Sequence, residues 1–274
     1  MDVSFDSIPH PELMKCVARR VSDKYVLHLI KMWLDAPVEE EDERGNRKRT
    51  TSNRDTGRGT PQGAVISPLL SNLYMRRFIL GWKKLGHARH WSAHIVNYAD
   101  DFVICCKGQA EEAMAAMREM MVRLKLTVNE DKTHVCRAPQ ERFDFLGYTF
   151  GRCYSPKTGH AYISVRPSKK SIKRMVTSIT QETRRSQMPM ETDVMIERLN
   201  RKMNGWANYF CLGPINSSYR ALNTHAVQRL RRWLCKKHKV EGKGYKHYSD
   251  QYLHERLGLV CLSKRTANLL WAKV

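Results

Sequence analysis

Two adjacent carboxylates, Asp100 and Asp101, stand between two short β-like runs, Ala93 to Asn97 and Phe102 to Cys106. Carboxylates a few ångströms apart repel one another and raise one pKa unless a cation sits between them. Mg²⁺ suits hard carboxylate oxygens combined with substrate phosphates, and two such ions about 4 Å apart align an attacking hydroxyl with a leaving pyrophosphate. The plain alternative is an ordinary charged hairpin turn. Two other segments bear on the choice. Gly59 to Asn72 joins a glycine loop to a helix start, which permits close backbone approach to a nucleotide. Asn129-Glu130-Asp131-Lys132-Thr133 puts Lys132 just after a strand-like run, where a cation can meet a triphosphate or donate a proton to a leaving group. A solvated lysine is the alternative there.

The elements that would position these residues follow from apolar periodicity. Pro11 to Trp33 reads as one helix, entered through Ser7-Ile8-Pro9-His10. Residues 37–59 lose periodicity and read as an exposed hairpin or loop with solvated charges. A helix from Ser67 carries Leu69, Leu70, Leu73, Tyr74, Phe78 and Ile79 on one side. The runs flanking Asp100 and Asp101 form a hairpin with the acids at its tip. Ala110 to Leu124 is an amphipathic helix whose Met114, Met117 and Met121 belong to the core. Leu126 to Asn129 and Phe143 to Phe150 read as strands. Pro167 to Arg185, Thr192 to Tyr209 and Ser218 to Lys239 are basic helices. The fold class expected is α+β, with helices on one face of a mostly antiparallel sheet, followed by a helical bundle.

The 274 residues include 48 Lys and Arg against 27 Asp and Glu, a formal net charge of +21 at pH 7. The charge is uneven: residues 1–150 hold 23 basic and 20 acidic side chains, residues 151–274 hold 25 and 7. Nucleic acid is the polyanion such a balance anticipates, gripped by the second half. An apolar content of 42% excludes a disordered tail, and no run of about 18 apolar residues reads as a membrane span. The eight cysteines form no C-x-x-C pair, and without a signal-peptide pattern they read as reduced thiols in a cytoplasmic protein.

Taken in order, Gly59 to Asn72, Tyr98 to Asp101, Leu124 to Thr133 and Phe145 to Tyr148 resemble the motifs of group II intron-encoded reverse transcriptases and maturases of the bacterial type. The resemblance runs over nearly the whole chain. It implies an RNA-directed DNA polymerase palm over about 1–150 and a basic thumb, or maturase domain, over about 151–274. The partners implied are group II intron RNA, an RNA template with a DNA primer, and dNTP, with Mg²⁺ as cofactor. Asp100 and Asp101 then match the metal-binding pair. Gln62 and Gly63 match the nucleotide-binding loop, Lys132 the general acid, and Phe145-Leu146-Gly147 the primer-grip turn. Gly205-Trp206-Ala207-Asn208-Tyr209-Phe210 resembles the thumb signature; Trp206 and Tyr209 either stack on bases or pin helices together, and packing is the expectation. Phe5 matches the aromatic that polices the incoming sugar. In the family an aspartate lies five residues before that aromatic, a position that would precede Met1. Asp2, three residues before Phe5, is the alternative third metal ligand. The family's fingers also precede that aspartate, so a shortened chain with impaired polymerase activity is expected. Phosphate contacts are assigned to Lys169, Lys170, Lys173 and Arg174 and to Arg229, Arg231, Arg232, Lys236 and Lys237. A non-catalytic RNA-binding splicing cofactor and a decayed fragment remain the alternatives.

Overall fold

The computed structural model describes residues 7–41, 47–61, 63–99, 101–155 and 158–265. The chain forms two compact units, divided in sequence between Val135 and Cys136. The first contains α1 (His10–Ala18), α2 (Lys24–Leu34), β1 (Val38–Glu41), β2 (Arg47–Thr50), α3 (Ser52–Thr56), α4 (Ser67–Lys84), α5 (His87–His90), β3 (His94–Tyr98), β4 (Asp101–Cys105) and α6 (Ala110–Arg123). A 3₁₀ turn, Glu130–Lys132, follows.

The single helix expected over Pro11 to Trp33 is two helices. Asp23 adopts an extended backbone, and its carboxylate accepts from the amides of Tyr25 at 2.7 Å and Val26 at 3.2 Å. An aspartate gains more by capping a new helix than by sitting inside an old one, so the chain breaks there. Within 37–59, β1 pairs antiparallel with β2, its register setting Val38 opposite Thr50 and Glu39 opposite Arg49, and Ser52–Thr56 forms α3. Opposite charges in register stabilise such a pair modestly.

On α4 the buried face is Leu70, Tyr74, Met75, Phe78 and Trp82, while Leu69, assigned to that face by spacing, is 66% exposed. The Phe78 ring packs on Trp82 at 5.9 Å and on Phe102 of β4 at 5.4 Å. Met117, Met120 and Met121 of α6 are buried in the same core, which also holds Ile8 and Leu13. The strand expected at Leu126 to Asn129 does not form among the described residues. Lys125 takes a left-handed conformation there, the Thr127 amide donates to Ser7 Oγ at 3.0 Å, and Val128 takes part in a single bridge. The chain is α+β, but its sheets are small and separate, all of them antiparallel among the described residues.

The second unit holds β5 (Phe143–Phe145), β6 (Tyr148–Tyr154), β7 (Ala161–Pro167), α7 (Lys169–Glu182), α8 (Thr192–Tyr209), α9 (Asn216–Lys237), a π-helical turn at Tyr252–Arg256 and α10 (Leu262–Arg265). The three basic helices lie where their spacing predicts. The strands β5 and β6 fold with them rather than with the first unit. The reason is β7: β6 pairs with it in full register from Tyr148 opposite Pro167 to Tyr154 opposite Ala161, and β7 runs directly into α7.

The β5–β6 turn is clamped by its helices. Leu146 and Gly147 both have positive φ, +50° and +78°, as a two-residue hairpin turn requires. The Gly147 carbonyl accepts from the Ser168 amide and from Ser171 Oγ, each at 2.9 Å, and the Leu146 carbonyl accepts from the Tyr209 hydroxyl at 2.9 Å. A Cβ on Gly147 would lie 2.9 Å from Ser171 Oγ and 3.1 Å from the Phe210 ring. Ser171 is itself held, its hydroxyl 3.0 Å from Ser168 Oγ, so it has no cheap retreat. Below the turn, the Tyr219 hydroxyl donates to the carbonyls of Ala207 and Phe210 at 3.0 and 3.1 Å, and burial pushes its pKa up to about 12.

Gly147→Ala combines a left-handed alanine with these contacts. We expect a loss of about 1–3 kcal/mol, read as a lower urea midpoint at unchanged slope. For Tyr219, the folded state keeps its proton where an unfolded tyrosine, with pKa near 10.0, releases it. Stability from this group is therefore complete below pH 10.0 and lost as pH rises towards about 12. Thermal melts across that range should fall more steeply for the parent chain than for Tyr219→Phe; equal slopes would contradict the assignment.

Candidate active site and nucleic-acid interface

The candidate catalytic segments of the first unit are stitched to one short stretch, Ser7 to His10. The Gly59 amide donates to the Ile8 carbonyl at 2.8 Å, and the His10 amide donates to the Gly57 carbonyl at 2.9 Å. Pro9 and Arg58 form an isolated antiparallel bridge, and His10 Nε2 lies 2.8 Å from the Gly59 carbonyl. These bonds run the entry to α1 alongside the glycine loop. Ser7 Oγ, accepting from Thr127, ties in the segment that leads to Lys132. The loop is then turned into α4 by Ser67 Oγ, which donates to the Pro61 carbonyl at 2.7 Å, while buried Thr60 lies 3.4 Å, hydroxyl to hydroxyl, from Ser71.

The β3–β4 hairpin brings in the carboxylates. Its last pair is Tyr98 with Asp101. Ala99 has φ +51°, a conformation costing a non-glycine residue roughly 1 kcal/mol. The Asn97 side-chain amide offsets this by donating to the Ala99 carbonyl at 2.9 Å. Phe102, fully buried, anchors β4 in the core, so Asp101, one residue earlier, is half-buried on the opposite face. Asp100, Asp2, Phe5 and Gln62 lie outside the described residues. Among the described residues, no three His, Cys, Asp or Glu side chains gather to hold a metal ion.

Gly63 is described: it is exposed, with φ +83°, and a Cβ there would meet nothing within 4 Å. Backbone conformation rather than crowding selects glycine at this point, and the space beside it is open. Lys132 ends the 3₁₀ turn with an exposed side chain. The turn is fixed from both sides. Asn129 Oδ1 accepts from the Lys132 amide at 3.3 Å, and Arg118 of α6 grips the Glu130 carboxylate through Nε at 3.2 Å and Nη2 at 2.5 Å. Arg118 carries no signal of this role in the sequence, because its partner is remote along the chain.

In the second unit the residues assigned to phosphate separate into two kinds. Lys169, Lys170, Lys173 and Arg174 of α7 are exposed or half-buried at its surface, as are Arg232 and Lys236 of α9. Three others are occupied within the fold, which corrects their assignment as free phosphate contacts. Arg231 is buried; its Nε donates to the Tyr248 carbonyl at 2.7 Å, its Nη2 pairs with Asp250, and its guanidinium stacks over Tyr245 at 4.4 Å. Arg229 closes the end of α7, donating to Thr183 Oγ1 at 2.9 Å and to the carbonyls of Thr180 and Thr183 at 3.1 Å. Lys237 donates to the carbonyls of Met188 and Met190 at 3.1 and 2.9 Å. The spacing of α9 is helical on both faces, so sequence alone cannot tell which cations face inward.

Arg232 and Lys236 of α9 border a cleft of about 600 Å³ that Lys239, Lys243 and Tyr245 complete. Lys243 and Tyr245, absent from the sequence assignment, reach it through the loop after α9. Trp206 packs on Phe210 at 4.6 Å and on Tyr219 at 6.1 Å, and Tyr209 is bonded to the β5–β6 turn. The segment 205–210 thus contacts the Phe145-Leu146-Gly147 turn, Trp206 and Phe210 packing on one another while Tyr209, bonded to the turn, keeps a 53% exposed ring.

All eight cysteines are unpaired, and no helix among the described residues is long and apolar enough to cross a membrane. Residues 1–150 match the family of reverse transcriptases (RNA-dependent DNA polymerases), and residues 172–253 match the group II intron maturase-specific domain. The chain is 29% identical over 198 residues to protein YkfC of Escherichia coli strain K12, covering 61% of this chain and 49% of that protein. It is 24% identical over 198 residues to an uncharacterized 91 kDa protein in the cob intron of Schizosaccharomyces pombe, covering 52% of this chain and 23% of that protein. The chain thus spans half or less of the length of these relatives. With the two matches following one another along it, the chain belongs to the reverse transcriptase family, in the group II intron-encoded branch that carries a maturase domain.

Proposed function

We propose that the chain is the palm-and-thumb portion of an RNA-directed DNA polymerase of a group II intron, its first unit performing nucleotidyl transfer and its second binding intron RNA. The observation that carries the catalytic part is the joining of the glycine loop, the α1 entry and the Lys132 segment through Ser7 to His10. Those bonds place three stretches distant in sequence, each matching a motif of the family, beside one another.

The donor chemistry fits Mg²⁺: Asp100 and Asp101, adjacent in sequence, offer hard carboxylate oxygens, and Asp101 is half-buried at the start of β4. Asp100 and Asp101 would hold the ion, with Asp2 as the third candidate, and when bound it supplies charge neutralisation and a more acidic primer hydroxyl. The remaining work falls to the chain. The open backbone around Gly63, beside Gln62, receives the incoming dNTP, and Phe5 limits its sugar. The primer 3′-hydroxyl gives up its proton to water, its oxygen bonds to the α-phosphorus, and the bond from the α-phosphorus to the bridging oxygen breaks, so that pyrophosphate departs. Lys132 donates a proton to the departing pyrophosphate from a turn whose backbone is held by Arg118 and Asn129. The β5–β6 turn, locked by α7 and α8, would steady the primer strand.

RNA binding is supported by the first turns of α7. Lys169, Lys170, Lys173 and Arg174 crowd the positive end of the helix macrodipole, and its first turn contains no acid. That arrangement is unfavourable for the isolated helix and becomes favourable when phosphates sit there.

Primer extension on an RNA template tests the catalytic reading. Mg²⁺-dependent extension should fall by at least about 100-fold in Asp101→Ala and by a similar factor in Lys132→Gln. No extension by the parent chain at any Mg²⁺ concentration would remove the catalytic claim. For the second unit, Lys169→Gln with Lys173→Gln should weaken RNA binding and flatten its salt dependence by about 0.7 in slope for each phosphate no longer neutralised. An unchanged slope would remove α7 from the interface.

A further inference from the structure

The first unit is nearly neutral in sequence, yet its fold gathers four arginines around one cleft. Arg19 and Arg20 follow the end of α1, and Arg76 and Arg77 lie on α4; together they line a cavity of about 410 Å³ floored by Leu73 and Leu80. No carboxylate lines it among the described residues. The nearest acid on α1, Glu12, is committed to Lys125, whose ammonium holds its carboxyl below the ordinary range.

The four side chains are not equivalent. Arg20 Nη1 donates to the Cys16 carbonyl at 2.9 Å and closes the end of α1, and Arg77 lies over the Tyr74 ring at 5.2 Å. These two guanidiniums are held in place before any ligand arrives. Arg19 and Arg76 are exposed, and their guanidiniums have no hydrogen bond or ion pair among the described residues. A solvated helix face would spread its charges and mix their signs. Here two Arg-Arg pairs from different helices converge on a concave, partly apolar surface, where a charge-assisted contact is stronger than on an open face.

We infer that this cleft is a second RNA-binding site, one that takes the phosphodiester backbone of structured RNA and is separate from the basic helices of the second unit. Guanidinium forks match phosphate oxygens in pairs, and four of them exceed what a single phosphate group can neutralise, which points to successive phosphates of one strand. The choice of RNA over another polyanion rests on the proposed function.

The test is binding of a fluorescein-labelled RNA hairpin to the full chain, followed by anisotropy through a KCl titration, with Arg19→Gln and Arg76→Gln introduced together. Arg20 and Arg77 are left alone because each has a packing role, and an unchanged melting temperature checks the fold. The slope of log affinity against log salt should fall by about 1.8, two phosphates of the duplex stem at about 0.9 each, with affinity roughly tenfold lower at low salt. The same measurement on Lys169→Gln with Lys173→Gln separates the two ideas. If those lysines flatten the slope and the arginines do not, this site is overturned and the second-unit interface stands. If neither pair does, both are overturned. Loss of co-sedimentation with phosphatidylserine vesicles in the arginine variant, with an unchanged RNA slope, would assign the cleft to lipid headgroups and likewise overturn it.

Discussion

The pairing of Ile8 and His10 with Gly57 and Gly59 is the constraint from which the first unit's candidate site follows. Backbone bonds there fix the entry to α1 against a loop some fifty residues later, and the loop in turn sets the start of α4 through Ser67 and Pro61. Because α4 supplies Tyr74, Phe78 and Trp82 to the core, and Phe102 packs on Phe78, the hairpin bearing Asp101 is referenced to the same frame. Ser7 extends that frame to Thr127 and so towards Lys132. Side chains on separate loops become a usable constellation only when their backbones are bonded to one another, since a misplacement of about 1 Å can cost two orders of magnitude in rate.

The second unit solves a similar problem with aromatics. Its hairpin turn is too tight to pack by itself, so its carbonyls are taken up by Ser168, Ser171 and Tyr209, and its glycine is walled in by Phe210. Buried Tyr219 completes the arrangement from α9 by closing the carbonyls at the end of α8. The segment 205–210 thus braces another motif, Tyr209 through its hydroxyl and Phe210 through its ring.

Charge follows the same division of labour. Arg229, Arg231 and Lys237 spend their donors on carbonyls and a carboxylate, stabilising helix ends and loop attachments. The surplus positive charge facing solvent is carried by others, including Lys243 at the α9 cleft, Arg19 after α1 and Arg76 of α4. Net charge counts these groups equally; burial and hydrogen bonding separate them.

The α+β class, the long helices, the hairpin between Ala93 and Cys106 and the order of motifs were legible from the sequence, because periodicity, turn residues and local spacing are properties of neighbouring positions. The break at Asp23 was in principle legible too, as a capping residue inside an apolar stripe. Other features were decided only by the tertiary structure. Leu69 faces outward, Thr127 is bonded to Ser7, β5 and β6 fold with the helices after them, and Arg231 is buried while Arg232 is not. Each depends on a partner far along the chain: Ser7 for Thr127, β7 for β6, Tyr248 for Arg231. A linear pattern states what a residue can do, and long-range hydrogen bonds and packing select which of those things it does.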